Sequence, residues 1–425
     1  MRKSKFLNAK PWQKKFALLL SSGIVNGLGS NMFFVALPYY VYELTGQAYA
    51  ASATFFTLTL PRVLFGSIGG VFADRFDRKT LVIVSNLASA IAFLPLFFVR
   101  SENLLWLLYI IVFIGPAIGQ FSAPAQGAML PGIVGKDNLV RANGLMSVFG
   151  STVSLLGPAA GGFLLGAAGF STLVLITVAS FIIAAILIGF ISVPSPPAIK
   201  NDNENAKSFL RAVGNQFVST WHQWLEGLRR IVREPKILLI FAVCAFVLIA
   251  DGVYNSLWAV WVKSDLHATS LQFGMLGTAL GVGILLGGIV FVRLGNINMM
   301  QVICISAIMI GCLLLATFNY PIFWLVVFLT FIRGIPAVGF YDGTTTLLQQ
   351  SAPDAYLGRI IGSFSAVKAL SLLIGSTLAI TVTDKVGVVF MMNFASVVWI
   401  IAGLLVLILL FQKQKHIRRD TFKGE

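Results

Sequence analysis

The sequence predicts an all-α membrane protein of about twelve transmembrane helices, arranged as two six-helix repeats. Three observations predict it. The chain is 57% hydrophobic and only 11% charged over its 425 residues, with a mean hydropathy of +0.87, whereas soluble domains carry roughly 25% charged residues. Apolar runs of about 20 residues, the length that crosses a hydrocarbon core, follow one another through short connections. Residues of the first half also recur in the second at one constant offset.

The runs lie near 16–42, 50–73, 80–99, 104–130, 144–167 and 171–193, then near 237–262, 270–292, 297–317, 321–346, 359–381 and 387–411. Residues 1–15 are basic, and the first run continues to about Tyr42 without a small-residue cleavage site, so it reads as a first span and not as a removed signal. The halves are therefore 1–193 and 237–425. The connection 194–236 opens on "VPSPPAIKNDNEN", whose prolines end the sixth span. Leu210, Val213, Phe217, Trp221, Trp224, Leu228 and Ile231 then recur at steps of three and four among basic residues. That pattern predicts an amphipathic helix on the cytoplasmic membrane surface.

The offset between the halves is 218 positions: Gly69 and Gly287, Arg75 and Arg293, Phe113 and Phe331, Arg141 and Arg359, Gly157 and Gly375. One register kept over four helices and their loops indicates a parallel repeat. Transporters that rock two such repeats about a shared site are built this way.

The net charge of +15 does not point to nucleic acid, because the charges sit between apolar runs and at the chain ends. With both termini inside, the outer loops hold only Arg100, Lys263 and Lys385, while Arg62, Arg333 and Lys368 lie within spans. Every other lysine and arginine faces the cytoplasm, which is the basic-inside asymmetry. Cys244, Cys304 and Cys312 lie in apolar runs without metal-ligand spacing, and His222, His267 and His416 lie outside the runs. No His-Glu-x-x-His motif occurs, so neither a metal cofactor nor an enzymatic activity is expected.

An ionisable side chain inside a span is costly and marks a cavity or a partner. Arg62 lies in span two, Asp251 in span seven, Arg333 and Asp342 in span ten and Lys368 in span eleven. Asp251 is the only acid near mid-membrane. It is either a carboxylate that exchanges a proton as its surroundings change or a permanent salt-bridge partner of Arg333 or Lys368. Arg62 could bind an anionic group or pair across the halves. Gln120, Asn31 and Asn255, with Asn26, offer hydrogen bonds to a cavity or between helices. Trp258 and Trp261 offer either an apolar cavity wall or interfacial anchors.

The stretch "GGVFADRFDRKT" resembles the loop signature of the major facilitator superfamily, matching it at Gly70, Asp74, Arg75, Arg78 and Lys79, with Asp77 in place of the usual glycine. "GSTVSLLGPAAGG" resembles that superfamily's exporter and antiporter motif at Gly157, Pro158, Gly161 and Gly162. "KDNLVRANGLMS" and "PDAYLGRIIGS" resemble the macrolide-efflux branch of the drug:proton antiporters. The resemblance implies the major facilitator fold, with Asp74 latching a cytoplasmic gate against the region of Arg359. It implies a monomeric, proton-coupled exporter in a bacterial cell membrane, in contact with membrane lipid. The exporter would move amphipathic drugs or metabolites by alternating access, with the proton gradient as its energy source and no cofactor. A lipid, lysolipid or siderophore transporter is the alternative, and a non-transporting receptor or scaffold a remote one. One departure stands out: at the fourth-span position where many antiporters of the family carry an arginine, this chain has Gly115.

Overall fold

The computed structural model describes residues 11–66, 72, 76–192, 235–293, 298–351 and 357–421. Apart from short 3₁₀ segments, the ordered elements among them are α-helices. In the first half these are α1 (Pro11–Thr45), α2 (Ala48–Phe65), α3 (Arg78–Phe93), α4 (Leu105–Val134) and α5 (Leu139–Gly189). In the second they are α6 (Pro235–Ser264), α7 (Ser270–Arg293), α8 (Met299–Asn319), α9 (Phe323–Ser351), α10 (Leu357–Val386) and α11 (Val388–Thr421). The physical reason is that a helix satisfies its own backbone hydrogen bonds where no water is present to do so.

Ten of the described helical segments are long and apolar enough to cross a membrane. One of them, α5, runs for 51 residues and is broken at Gly169, whose φ of 77° and ψ of 171° belong to glycine alone. It therefore makes two crossings. α2, with 18 residues, is about 27 Å long at 1.5 Å per residue and completes the expected twelve.

One compact unit holds the described residues of Met1–Thr45 and Thr57–Trp221, and the other those of Gly46–Phe56 and His222–Glu425. α2 thus starts in the second unit, where the buried Ser52 donates its hydroxyl to the Ser256 carbonyl at 3.4 Å. Of the connection 194–236, residues 194–234, with the expected amphipathic helix, lie outside the described residues.

Within the first unit, α1 packs along α5, and α3 packs against α4 and α5. Phe16, Leu19, Val82, Met129 and Ile188 form a core at one end. Within the second unit, α6 packs on α10 and α11, α7 on α9, and α8 on α9 and α11. The internal repeat is visible in atomic contacts. Gly157 lies against Asn31, and Gly375 lies against Ile249, each residue 218 positions from its counterpart.

Candidate functional site

The ionisable residues that lie within the spans of the second unit gather where α6, α9 and α10 face one another. On α6, Asp251, Tyr254, Asn255 and Trp258 recur at steps of three and four and so share a face. Arg333 and Tyr341, eight residues apart on α9, share another. Arg333 is 8% exposed. Its guanidinium donates to the Tyr254 hydroxyl at 2.7 Å and lies over the same ring, 4.6 Å from the centroid. The Asp251 carboxylate is half-buried and takes its side-chain hydrogen bonds from Tyr341 and Asn255. Arg333 and Lys368 act on it through their charge and not through a hydrogen bond. Lys368 on α10 places its ammonium 5.5 Å from the centre of the Tyr341 ring. Asp342, exposed and next to Tyr341, also lies in the field of Lys368.

Each cation is thus matched to an aromatic ring, and the carboxylate is matched to neutral donors. A cation over an aromatic face gains about 2 kcal/mol when desolvated, which offsets part of the cost of burying Arg333. Sequence reasoning picked out Asp251, Arg333, Lys368 and Asn255, and the structure brings them together. It missed Tyr254 and Tyr341. Their signal was position: Tyr254 lies three residues after Asp251, and Tyr341 lies one turn-compatible step of eight after Arg333.

The other amides serve their own helices. Asn31 donates to the Gly27 carbonyl at 2.8 Å, Gln120 to Pro116 at 3.2 Å, and Asn255 also to the Asp251 carbonyl at 2.8 Å. Asn26 instead bonds the buried Asn86 of α3. Arg62 is exposed on α2. Trp261 is fully buried and packs edge-on against Phe318 at 5.1 Å, so it is a core residue and not an interfacial anchor.

A family model described as Major Facilitator Superfamily matches residues 19–376 and 244–425. The chain belongs to the Major Facilitator Superfamily. Macrolide efflux protein A of Streptococcus pyogenes is 25% identical over 383 residues, covering 89% of this chain and 91% of that protein. Enterobactin exporter EntS of Citrobacter koseri is 24% identical over 404 residues, covering 93% and 91%. Among solved structures, a POT family transporter in complex with 5-aminolevulinic acid superposes with a TM-score of 0.71 at 11% identity, covering 92% of this chain and 95% of that one. A bacterial homologue of the iron transporter ferroportin superposes with a TM-score of 0.70 at 14% identity, covering 93% and 98%. The structural likenesses show the fold, and the family match makes the chain a transporter.

The superfamily's loop signature is in part visible. Gly70, Asp74 and Arg75 lie outside the described residues. Arg359 falls in the first turn of α10, and its side chain is likewise outside them. Arg78 donates to the Ala128 carbonyl at 2.8 Å, and Lys79 to the Gly189 carbonyl at 2.8 Å, where α5 ends. A cation at a helix C-terminus satisfies a free carbonyl and the helix dipole together. Asp77 caps α3, accepting from the Thr80 N–H at 2.8 Å and its hydroxyl at 2.7 Å. Its φ of −58° needs no glycine, so the substitution exchanges a flexible turn for a capped helix start. In the antiporter motif, Gly157, Gly161 and Gly162 are buried, and Gly157 and Gly161 abut Asn31 and Met32 of α1. Pro158 lies between these contacts, inside α5.

The repeat explains the departure at Gly115. Its mate, 218 positions on, is Arg333, and the mates of Asp251 and Lys368 are Phe33 and Gly150. In the first unit Phe93 lies against Gly115, and its ring centre is 5.0 Å from that of Phe33. Aromatic packing fills there the positions that carry the acid and the guanidinium in the second.

Proposed function

We propose that this transporter is a proton-coupled exporter of amphipathic small molecules, working by alternating access in a bacterial cell membrane with both termini in the cytoplasm. The observation that carries the reading is the setting of Asp251: a half-buried carboxylate inside a membrane-spanning helix, hydrogen-bonded by Tyr341 and Asn255. Neutral donors stabilise the ionised form without locking it as a buried ion pair does. Asp251 takes a proton when its site faces outward, and gives it up inward as substrate is taken from the cytoplasmic side. Lys368 and Arg333 offset the charge of Asp251 while it is ionised. Asp342, next to Tyr341 and in the field of Lys368, is a second acid near the site. The energy comes from the proton gradient, and no cofactor takes part.

A relative named macrolide efflux protein A supports a bulky amphipathic drug as substrate. A relative named enterobactin exporter supports a second reading, export of a secreted siderophore. Inverted membrane vesicles with an acidic lumen separate them. One pH unit stores about 1.4 kcal/mol per proton, a factor of ten in concentration. Uptake of radiolabelled erythromycin should be faster than into vesicles lacking the protein, which this weak base enters by pH trapping alone, and collapse of the gradient with nigericin should abolish the difference. Accumulation of enterobactin in its place would select the siderophore reading. Accumulation that is indifferent to nigericin would contradict proton coupling.

A further inference from the structure

We infer that Tyr254 is a positioning residue: its ring and hydroxyl hold the Arg333 guanidinium away from Asp251, so that the carboxylate keeps neutral partners and stays free to exchange a proton. The inference rests on the proposed role of Asp251. The groups facing that carboxylate are Tyr254 and Asn255 from its own helix, Arg333 and Tyr341 from α9, and Lys368 from α10. Of the two cations, Arg333 is the one able to lock the site, because its planar fork binds a carboxylate through two parallel hydrogen bonds. In the structure that fork is occupied elsewhere, with 2.7 Å to the Tyr254 hydroxyl and 4.6 Å to the centre of its ring. Lys368 is drawn to the Tyr341 ring in the same way, at 5.5 Å.

The hydroxyl is the telling atom. Tyr254 packs its ring beside Trp258 at 5.4 Å and Phe318 at 6.4 Å. A phenylalanine would make those contacts equally well, so packing alone gives the hydroxyl no purpose. The 218-position mate of Tyr254 is Ala36, in the half that has neither the acid nor the guanidinium.

Dicyclohexylcarbodiimide, which modifies protonated carboxyls in apolar surroundings, tests this without a known substrate. In the purified full-length protein, mass spectrometry should find the adduct on Asp251. Tyr254→Phe should release Arg333 onto Asp251 and slow labelling at fixed pH by about tenfold or more, since an adjacent opposite charge changes protonation on that scale. In an Arg333→Gln background the same change should leave the labelling rate unaltered, which a purely structural role of the hydroxyl does not predict. Tyr254→Leu, which removes the hydroxyl and the ring face together, should slow labelling at least as much and serves if Tyr254→Phe folds poorly. Unchanged labelling in both Tyr254→Phe and Tyr254→Leu, equal slowing with and without Arg333, or no adduct on Asp251 in the wild type overturns the inference. If labelling follows this pattern but nigericin-sensitive accumulation is absent, the antiport reading fails alone and the placement of Arg333 stands.

Discussion

Gly157 lies so close to Asn31 that a Cβ on it would stand 2.5 Å from the Asn31 Cβ. The same closeness recurs 218 positions on, where Gly375 abuts Ile249. These two contacts join the helices that the antiporter motif and its repeat mate occupy, and they show why both positions are glycine. Helices that approach this closely gain packing and leave no room for a methyl group.

Gly157→Ala should therefore destabilise the protein by about 1–3 kcal/mol, the usual cost of overpacking. Gly375→Ala should do the same. Gly150→Ala meets nothing within 4 Å and should leave stability unchanged or slightly raised, because alanine is the better helix former. Thermal unfolding in one detergent, followed by intrinsic fluorescence, ranks the three.

The Asp77 cap makes a finer prediction. Asp77→Ala removes the acceptor for the Thr80 N–H and should cost about 0.5–2 kcal/mol, whereas Asp77→Gly should cost only a few tenths. The order alanine below glycine below aspartate in thermal stability is the expected result. A glycine variant more stable than the wild type would mean that this loop needs flexibility and not a cap.

Topology is checked at Lys136, in the 3₁₀ turn Lys136–Asn138 between α4 and α5. The basic-residue asymmetry of the sequence predicts that this turn faces the cytoplasm. With the three native cysteines replaced, Lys136→Cys should resist a membrane-impermeant thiol reagent in intact cells and react after lysis. Labelling of intact cells would invert the orientation.

Much of this architecture was legible in the sequence because hydropathy and the constant offset are properties of the chain itself. Asp251, Arg333 and Lys368 stood out for the same reason, since charge inside an apolar run is conspicuous. Tyr254 and Tyr341 did not, because a tyrosine in such a run looks like any packing aromatic until its hydroxyl is seen to have a partner. The amides of Asn31 and Gln120 were ambiguous, and only coordinates reveal that each bonds the carbonyl four residues back. The break at Gly169 was legible as the gap between two apolar runs, though not as one helical segment bent by a single glycine. Trp261 had two readings because its sequence position near a helix end suits an anchor, whereas its burial follows from neighbours such as Phe318, distant in sequence.

Whether Asp251 carries the proton is read by comparing two modes of transport in proteoliposomes containing Asp251→Asn. An asparagine keeps hydrogen-bonding capacity and loses the titratable step. Loading with radiolabelled erythromycin against its gradient, driven by an acidic lumen, should fall to the level of protein-free liposomes. Exchange of labelled for unlabelled erythromycin at equal pH should persist within a few-fold of wild type, with thermal stability retained. Loss of stability first, on the order of 3–5 kcal/mol, is the signature of a permanent ion pair whose cation has been left unpaired. Gradient-driven loading at the wild-type rate by a well-folded Asp251→Asn variant would contradict the account and move the coupling site to another carboxylate, with Asp342 the next to test.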